Sequence, residues 1–442
     1  MQTETKTYDS KAIAALIEPD RIHRAVYTDP ALFDLEMQRI WGKAWLYLGH
    51  ESQVPKTGDY FTVDMARRPI VVVRHEDGSI RAFHNQCAHK GAEVVTAREG
   101  NVRFFYCNYH GWTYRTDGGL ANLPLREGYQ GTCLSFDKPE FGLQPVKRLE
   151  SYRGFIFASL AADGPDLLSF LGPAKVAFDD LCDRSPEGEV EIYGTCARTV
   201  QQSNWKFFLE NQLDVVHAGI VHLSSTNAGK QVARKYFAEG EAQPMPLLML
   251  QAQTPPDPGS VWEKLVSRNF PHGHAYFGGY LPDRNPDPVT QRYEAMMREK
   301  LGAERTEEIL ARSIHHTLIY PCLSIQSAFQ QIRVMRPVAP DRTVMEIWHF
   351  KLKGVSDEFR LRNMNYANIV NSPASIIACD DYETWWRCQQ GLGSQGTDWV
   401  SVHRNFGADV MENGILESNY GASEVFQRAQ YAAWLDYMSV EA

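Results

Sequence analysis

Four residues constrain this chain more than any others: Cys87, His89, Cys107 and His110. They read C-x-H, seventeen intervening residues, then C-x-x-H. Two thiolates and two imidazoles in two mixed pairs suit a [2Fe–2S] cluster with both Cys on one iron and both His on the other. Zinc also accepts two Cys and two His, but its fingers pair Cys with Cys and His with His. The fold must therefore hold two short loops side by side, and the chemistry is one-electron transfer.

At 442 residues the chain exceeds one ordinary core, so two domains are expected. With 43% hydrophobic and 22% charged residues it reads as a soluble globular protein. A net charge of −9 without a basic tract argues against a nucleic-acid partner. No apolar run approaches the ~20 residues of a membrane span. The N-terminal segment lacks the charged and apolar regions of a signal peptide. Eight Cys are too sparse for a disulfide scaffold, and a reducing cytoplasm suits thiolate-bound iron.

Residues 1–41 read as a helical lead-in, with Leu32, Leu35, Ile40 and Trp41 near helical spacing. From residue 42 the pattern turns to strands. Ile70–Val73 and Ile80–Phe83 flank Glu-Asp-Gly-Ser as a hairpin, and Val102–Tyr106 is a further strand. Each ligand pair follows a strand and sits in a loop. This small β domain is expected to close near residue 150. Residues 151–442 form a larger α+β region, with helices at 204–218, 287–312 and 357–370 and strands around 189–200, 318–336 and 343–353. The Pro/Gly-rich stretch 253–260 reads as a loop. Gly91 and Gly111 allow close backbone approach to a cluster, and Trp112 can shield it from water.

A second metal site is written in 204–222, NWKFFLENQLDVVHAGIVH. Glu210, Asp214 and His217 stand at i, i+4 and i+7, one face of a continuous helix. His222 lies five residues beyond His217, an offset of about 140° on a regular helix. Gly219 between them is where the helix is expected to bend or end. Two His plus one carboxylate make the facial triad of non-haem Fe(II) oxygenases. The carboxylate must come from elsewhere. In the Cys379–Trp385 stretch, Asp380 and Asp381 are adjacent, and neighbours on a helix point about 100° apart, so only one ligates easily. The residues alone leave the choice open.

With both sites in this order, the chain resembles the large (α) subunit of Rieske non-haem iron aromatic-ring-hydroxylating oxygenases over nearly its full length. The resemblance implies an all-β Rieske domain inserted in a helix-grip catalytic domain of antiparallel sheet plus helices. It assigns the iron carboxylate to the second Asp of D-D-x-x-x-W, Asp381. It also makes Asp214 a bridge between a cluster His, His110, of one subunit and an iron His, His217, of the next. The cofactors implied are one [2Fe–2S] cluster and one mononuclear Fe(II), with NAD(P)H acting only through a reductase. The partners implied are O2, an aromatic substrate, a ferredoxin or reductase, and two further copies of the chain in a trimer, with or without a small β subunit. Ala92 and Tyr109 stand where cytochrome-complex Rieske proteins carry a second Cys pair, so the oxygenase and ferredoxin type is the nearer likeness. Lys90 replaces the usual Arg, which keeps charge but loses the planar fork.

Other residues read as structural. His272, His274, His315 and His316 are pocket or loop histidines. Cys133, Cys182, Cys196, Cys322, Cys379 and Cys388 are buried small hydrophobes. Arg333 and Arg336 form ion pairs. Leu213, Val216, Ala218 and Ile220 wall an apolar pocket. Cys322 stands where relatives often have Asn. The runs from Cys388 and Trp399 resemble the benzoate and anthranilate branch, so cis-dihydroxylation of an aromatic carboxylate is expected, ahead of a neutral ring. The alternatives are a monooxygenase or demethylase of the same family and a noncatalytic Rieske electron carrier.

Overall fold

The computed structural model describes residues 8–252, 264–279, 287–312, 314–373, 375–418 and 420–440. The loop expected at 253–260 lies outside them. The chain divides into a unit of Trp41–Leu167 and a unit of Met1–Ile40 with Leu168–Ala442.

The smaller unit contains strands and short turns. A four-stranded antiparallel sheet is formed by β2 (Asp59–Met65), β3 (Arg68–Arg74), β4 (Ile80–His84) and β5 (Glu99–Asn101), in the order β4-β3-β2-β5. The β3–β4 hairpin turns at Gly78, whose φ of +84° is the left-handed conformation glycine adopts without steric cost. A second sheet joins β6 (Phe104–Tyr106), β7 (Thr113–Arg115) and β8 (Leu120–Asn122). Val71, Val73, Phe83, Phe105, Trp112, Tyr114 and Leu120 pack into one core that includes Cys87 and Cys107. A third sheet pairs β9 (Arg148–Tyr152) with β10 (Phe155–Ser159), and β10 with β1 (Leu46–His50). The boundary expected near 150 falls inside β9. A strand that closes by pairing with a segment about 110 residues earlier carries no local stop signal.

The larger unit is built on a nine-stranded antiparallel sheet. Its strands are β11 (Val190–Gln201), β12 (Val266–Asn269), β13 (Ala275–Gly278), β14 (Ile314–Ile319), β15 (Leu323–Gln326), β16 (Gln331–Ala339), β17 (Arg342–Leu352), β18 (Val410–Glu412) and β19 (Ile415–Ser418). Their order is β11-β17-β16-β15-β14-β13-β12-β19-β18. Helices α1 (Pro30–Arg39), α2 (Trp205–Gln212), α3 (Val216–Val221), α4 (Leu223–Tyr236), α5 (Pro288–Leu301), α6 (Ala303–Leu310), α7 (Asp357–Asn371), α8 (Ile376–Gly393) and α9 (Val425–Ser439) belong to this unit. A buried ion pair, Lys206 Nζ to Glu36 Oε1 at 2.6 Å, ties α2 to α1. Glu36 also accepts from the indoles of Trp205 at 2.9 Å and Trp434 at 2.7 Å, which adds α9 to the knot. Satisfying the buried carboxylate from several sides offsets the cost of desolvating it. Among the described residues, no helix is long and apolar enough to cross a membrane.

Candidate metal centres

The two cluster loops have the same backbone design. Cys87 O accepts from Gly91 N at 2.9 Å, and Cys87 N donates to Ala92 O at 2.8 Å. Cys107 O accepts from Gly111 N at 2.9 Å, and Cys107 N donates to Trp112 O at 2.8 Å. Gly91 and Gly111 hold φ of +76° and +74°, which a Cβ would strain. Both thiols are buried, whereas the His110 ring is exposed. The His89 and His110 ring centroids are 4.6 Å apart, and Trp112 stacks on His89 at 5.0 Å with planes 4° apart. Tyr114 Oη lies 3.0 Å from Cys87 Sγ and accepts from Ala88 N at 3.1 Å; toward a thiolate, which can only accept, the hydroxyl is the donor. Burial raises the Cys87 thiol pKa, and burial with the nearby His110 and Lys90 lowers that of His89.

These four residues fit a two-iron group better than a single ion. Ligands on one zinc would stand within ~4 Å of each other. Among the described residues, the only three candidate ligands whose atoms all lie within 4.8 Å of one another are His217, His222 and Asp381. No three of the Cys/His set come that close, as expected when the Cys and His pairs serve different irons. His89 Nδ1 is buried without a hydrogen-bond partner, a donor atom left for a metal.

In the larger unit, the helix expected over 204–218 is broken. Asn204 starts α2 by accepting from Lys206 N at 3.1 Å, while its amide donates to Tyr27 O and Pro340 O. The helix ends at Gln212. Leu213 is non-helical at φ −115°, ψ 13°, and Asp214 Oδ1 accepts from Val216 N at 2.8 Å to begin α3. Glu210, Asp214 and His217 therefore do not share one helical face. Gly219 lies inside α3, and the second break comes at His222 itself, with φ −90° and ψ 9° between α3 and α4. That break brings two imidazoles together that a regular helix would separate.

Asp381 on α8 completes the group. Its Oδ1 is 3.6 Å from His217 Nε2 and 3.6 Å from His222 Nε2. Asn211 Nδ2 donates to the same oxygen at 3.1 Å. Burial raises the Asp381 carboxyl pKa, against the lowering pull of His217, His222, Asn211 and Arg333. Asp380 is not idle. Its Oδ2 stands 3.3 Å from His222 Nδ1 and accepts from Ser225 Oγ at 2.9 Å. Sequence reasoning missed Asp380, Ser225 and Tyr114 as supports. An acidic neighbour one residue from a ligand, and a Tyr two residues beyond Trp112, were the available signals.

Several expectations change. Asp214 makes no hydrogen bond to His217; its carboxylate is 3.7 Å from Arg404, which pairs with Glu424 at 3.2 Å. His217 Nδ1 is buried without a partner. Arg336 does pair with Glu346 at 3.3 Å, but Arg333 hydrogen-bonds neutral amides instead. Cys133, Cys379 and Cys388 are exposed, and only Cys182 and Cys322 among the six are buried. Ile220 is 69% exposed, so it walls no enclosed pocket. His274 is structural: Nδ1 accepts from Tyr320 N, Nε2 donates to Phe170 O, and burial pushes its pKa down to about 3.

Comparison with known proteins agrees with this architecture. The Rieske [2Fe–2S] domain family matches residues 44–138, and the ring hydroxylating alpha subunit (catalytic domain) family matches residues 190–439. The chain is 33% identical to the toluate 1,2-dioxygenase subunit alpha of Pseudomonas putida, over 88% of this chain and 84% of that one. It is 31% identical to the biphenyl dioxygenase subunit alpha of Paraburkholderia xenovorans, over 97% and 94%. Among solved structures, naphthalene 1,2-dioxygenase from Rhodococcus sp. superposes with a TM-score of 0.77 at 26% identity, covering 96% of this chain and 95% of that one. The chain belongs to the ring-hydroxylating oxygenase α-subunit family. It is a Rieske-type oxygenase with a [2Fe–2S] domain and a mononuclear-iron catalytic domain.

Proposed function

We propose that Cys87 and Cys107 hold one iron of the cluster and His89 and His110 the other, with Trp112 shielding the His89 face. His217, His222 and Asp381 hold the mononuclear Fe(II). The observation that carries this reading is the convergence of those three ligand atoms within 4.8 Å, on segments that two helix breaks bring together. When bound, the two centres supply single electrons and O2 activation, which with two protons convert an aromatic ring to a cis-dihydrodiol.

The chain's own residues do the positioning. Asp380 holds the Nδ1 proton of His222 and so turns Nε2 toward the metal position. Asn211 fixes Asp381 Oδ1. The favoured substrate is an aromatic carboxylate, supported by the likeness to a toluate dioxygenase; a neutral ring is next, supported by the likeness to a biphenyl dioxygenase. Electrons come from NAD(P)H through a reductase, with or without a ferredoxin.

The working assembly is a cytoplasmic ring of three copies, with or without a small β subunit. Around the exposed His110, Tyr109 is 65% exposed, Tyr106 57% and Phe104 41%. A ligand ring set in an apolar surface suits docking to a neighbouring subunit. Across that contact Asp214 joins His110 of one copy to His217 of the next, after turning from its present cap position.

Iron analysis and oxygen uptake test the reading. Three irons per chain are expected, against two for an electron carrier. A panel of aromatic acids and hydrocarbons should give O2 uptake coupled to a dihydrodiol. A phenol or a demethylated product would make the enzyme a monooxygenase, and uptake with no product from any aromatic would sink the proposal.

A further inference from the structure

Arg333 stands in the middle of β16 with only 5% of its surface exposed. Its Nη1 donates to Asn371 Oδ1 at 3.3 Å, its Nη2 donates to Gln212 Oε1, and its guanidinium lies 5.1 Å from the Phe208 ring centroid. Among the described residues it has no carboxylate partner. A buried charge with only neutral partners is costly, so the compensating charge must be reached some other way.

It is reached through two amides. Gln212 Nε2 donates to Asn211 Oδ1 at 3.2 Å, and Asn211 Nδ2 donates to Asp381 Oδ1 at 3.1 Å. The chain of hydrogen bonds runs unbroken from guanidinium to carboxylate. Its two ends fix its direction. A guanidinium only donates and an ionised carboxylate only accepts, so each amide between them has one allowed orientation. Burial brings the Arg333 pKa down to about 10, with Tyr382 and Asp381 pulling the other way.

We infer that Arg333 is a positioning residue for the metal centre: acting through Gln212 and Asn211, it fixes which Asp381 oxygen faces His217 and His222. This rests on reading those three residues as the iron ligands. Without Arg333 the Gln212 amide is free to turn. Asn211 then loses the donor that orients it and can offer its carbonyl to Asp381, which drives the carboxylate away from the histidines. Asn371 is held separately, by donating to Gln326 Oε1 at 2.7 Å and Gln331 Oε1 at 2.8 Å, so the other arm of Arg333 stays anchored to the sheet.

The test is anaerobic Fe(II) titration of protein that keeps its cluster but has been stripped of mononuclear iron. Arg333→Met and Gln212→Met should each weaken Fe(II) binding by about 10–100-fold, the range expected for outer partners of a ligand. The double variant should lose no more than the worse single variant, because one break opens the chain. Arg333→Lys, which still donates to Gln212, should bind close to wild type. The EPR signal of nitric oxide added to the ferrous site should change shape in Gln212→Met. Wild-type affinity and an unchanged signal in Gln212→Met, or losses that multiply in the double variant, overturn the relay. Should Arg333→Met fail to fold, Gln212→Met decides alone. Asp381→Ala separates the two claims: if it still binds Fe(II) like wild type, the ligand reading falls first.

Discussion

Asp380 Oδ2 lies 3.3 Å from His222 Nδ1, while Asp381 Oδ1 lies 3.6 Å from Nε2 of the same ring. Two adjacent carboxylates thus grip opposite edges of one imidazole. In the proposed site they divide the work: Asp380 orients the ring and Asp381 faces the metal position with it. Neighbours on a helix diverge by about 100°, which is what lets both reach a ring placed between them.

The division gives a graded prediction. Asp381→Ala should abolish mononuclear iron binding, whereas Asp380→Ala should weaken it by about 10–100-fold and be rescued by added Fe(II). Both variants should keep the cluster's visible spectrum. Iron content per chain before and after Fe(II) addition measures the difference. Complete iron loss in Asp380→Ala with normal iron in Asp381→Ala would reverse the assignment.

Tyr114 offers a handle on the other centre. Its hydroxyl lies 3.0 Å from Cys87 Sγ, placed to donate to that sulfur as a thiolate, and burial with the adjacent thiol raises its pKa. A donor to a thiolate ligand stabilises the more negative, reduced cluster. Tyr114→Phe should therefore lower the reduction potential, by roughly 60 mV, the one-electron equivalent of a hydrogen bond of about 1.4 kcal/mol. Voltammetry of the purified protein reads this directly, and an unchanged or higher potential would count against the contact.

How far the sequence could be read follows from what kind of signal each feature leaves. The cluster loops were legible because both ligand pairs sit in short, self-contained turns. The break at Leu213–Val215 was not, because it depends on a side-chain cap from Asp214 that periodicity does not register. Only part of the Arg333 outcome was legible. Residues 333 and 336 are an odd number apart, so on one strand they face opposite sides of the sheet. Arg336 meets Glu346, which also takes Arg198, whereas Arg333 faces α2 and the amides. The fate of Arg333 depended on Gln212, over a hundred residues away, and no local pattern encodes that.

Glu210 links the iron helix to the pH dependence of stability. It is partly buried, accepts from Tyr27 Oη at 3.0 Å and from Tyr431 Oη, and desolvation raises its pKa to about 7. A carboxyl raised on folding binds more protons folded than unfolded between its ordinary value, about 4.5, and about 7. Stability from this group is thus greatest at low pH and falls as pH rises through that window. Glu210→Gln keeps an acceptor for both tyrosines and removes the titration. The variant should gain on wild type as pH rises from 4.5 to 7, by up to roughly 3 kcal/mol, and hold the gain above it. Denaturant melts of both proteins at several pH values give the difference; a gap that shrinks with rising pH would refute the assignment.

The last prediction concerns assembly. Asp214 caps α3 through the Val216 amide and has its carboxylate 3.7 Å from Arg404, so its side chain is engaged there rather than with His217. Asp214→Asn can still accept from that amide, so the fold and both metals should survive while the charge is lost. If Asp214 joins His110 of one copy to His217 of the next, the variant's cluster should reduce normally yet fail to reoxidise when substrate and O2 are added, and added Fe(II) should not help. A second measurement asks whether electrons cross between chains at all. Cys107→Ser removes the cluster and Asp381→Ala removes the iron, so each chain alone is inactive. Co-expressed, the two should form mixed assemblies in which an intact cluster on one chain faces an intact iron on another, and part of the activity should return. Activity that stays at zero in verified mixed assemblies would mean that electrons pass only within a chain, and Asp214 would then be a helix cap whose charge serves Arg404 alone.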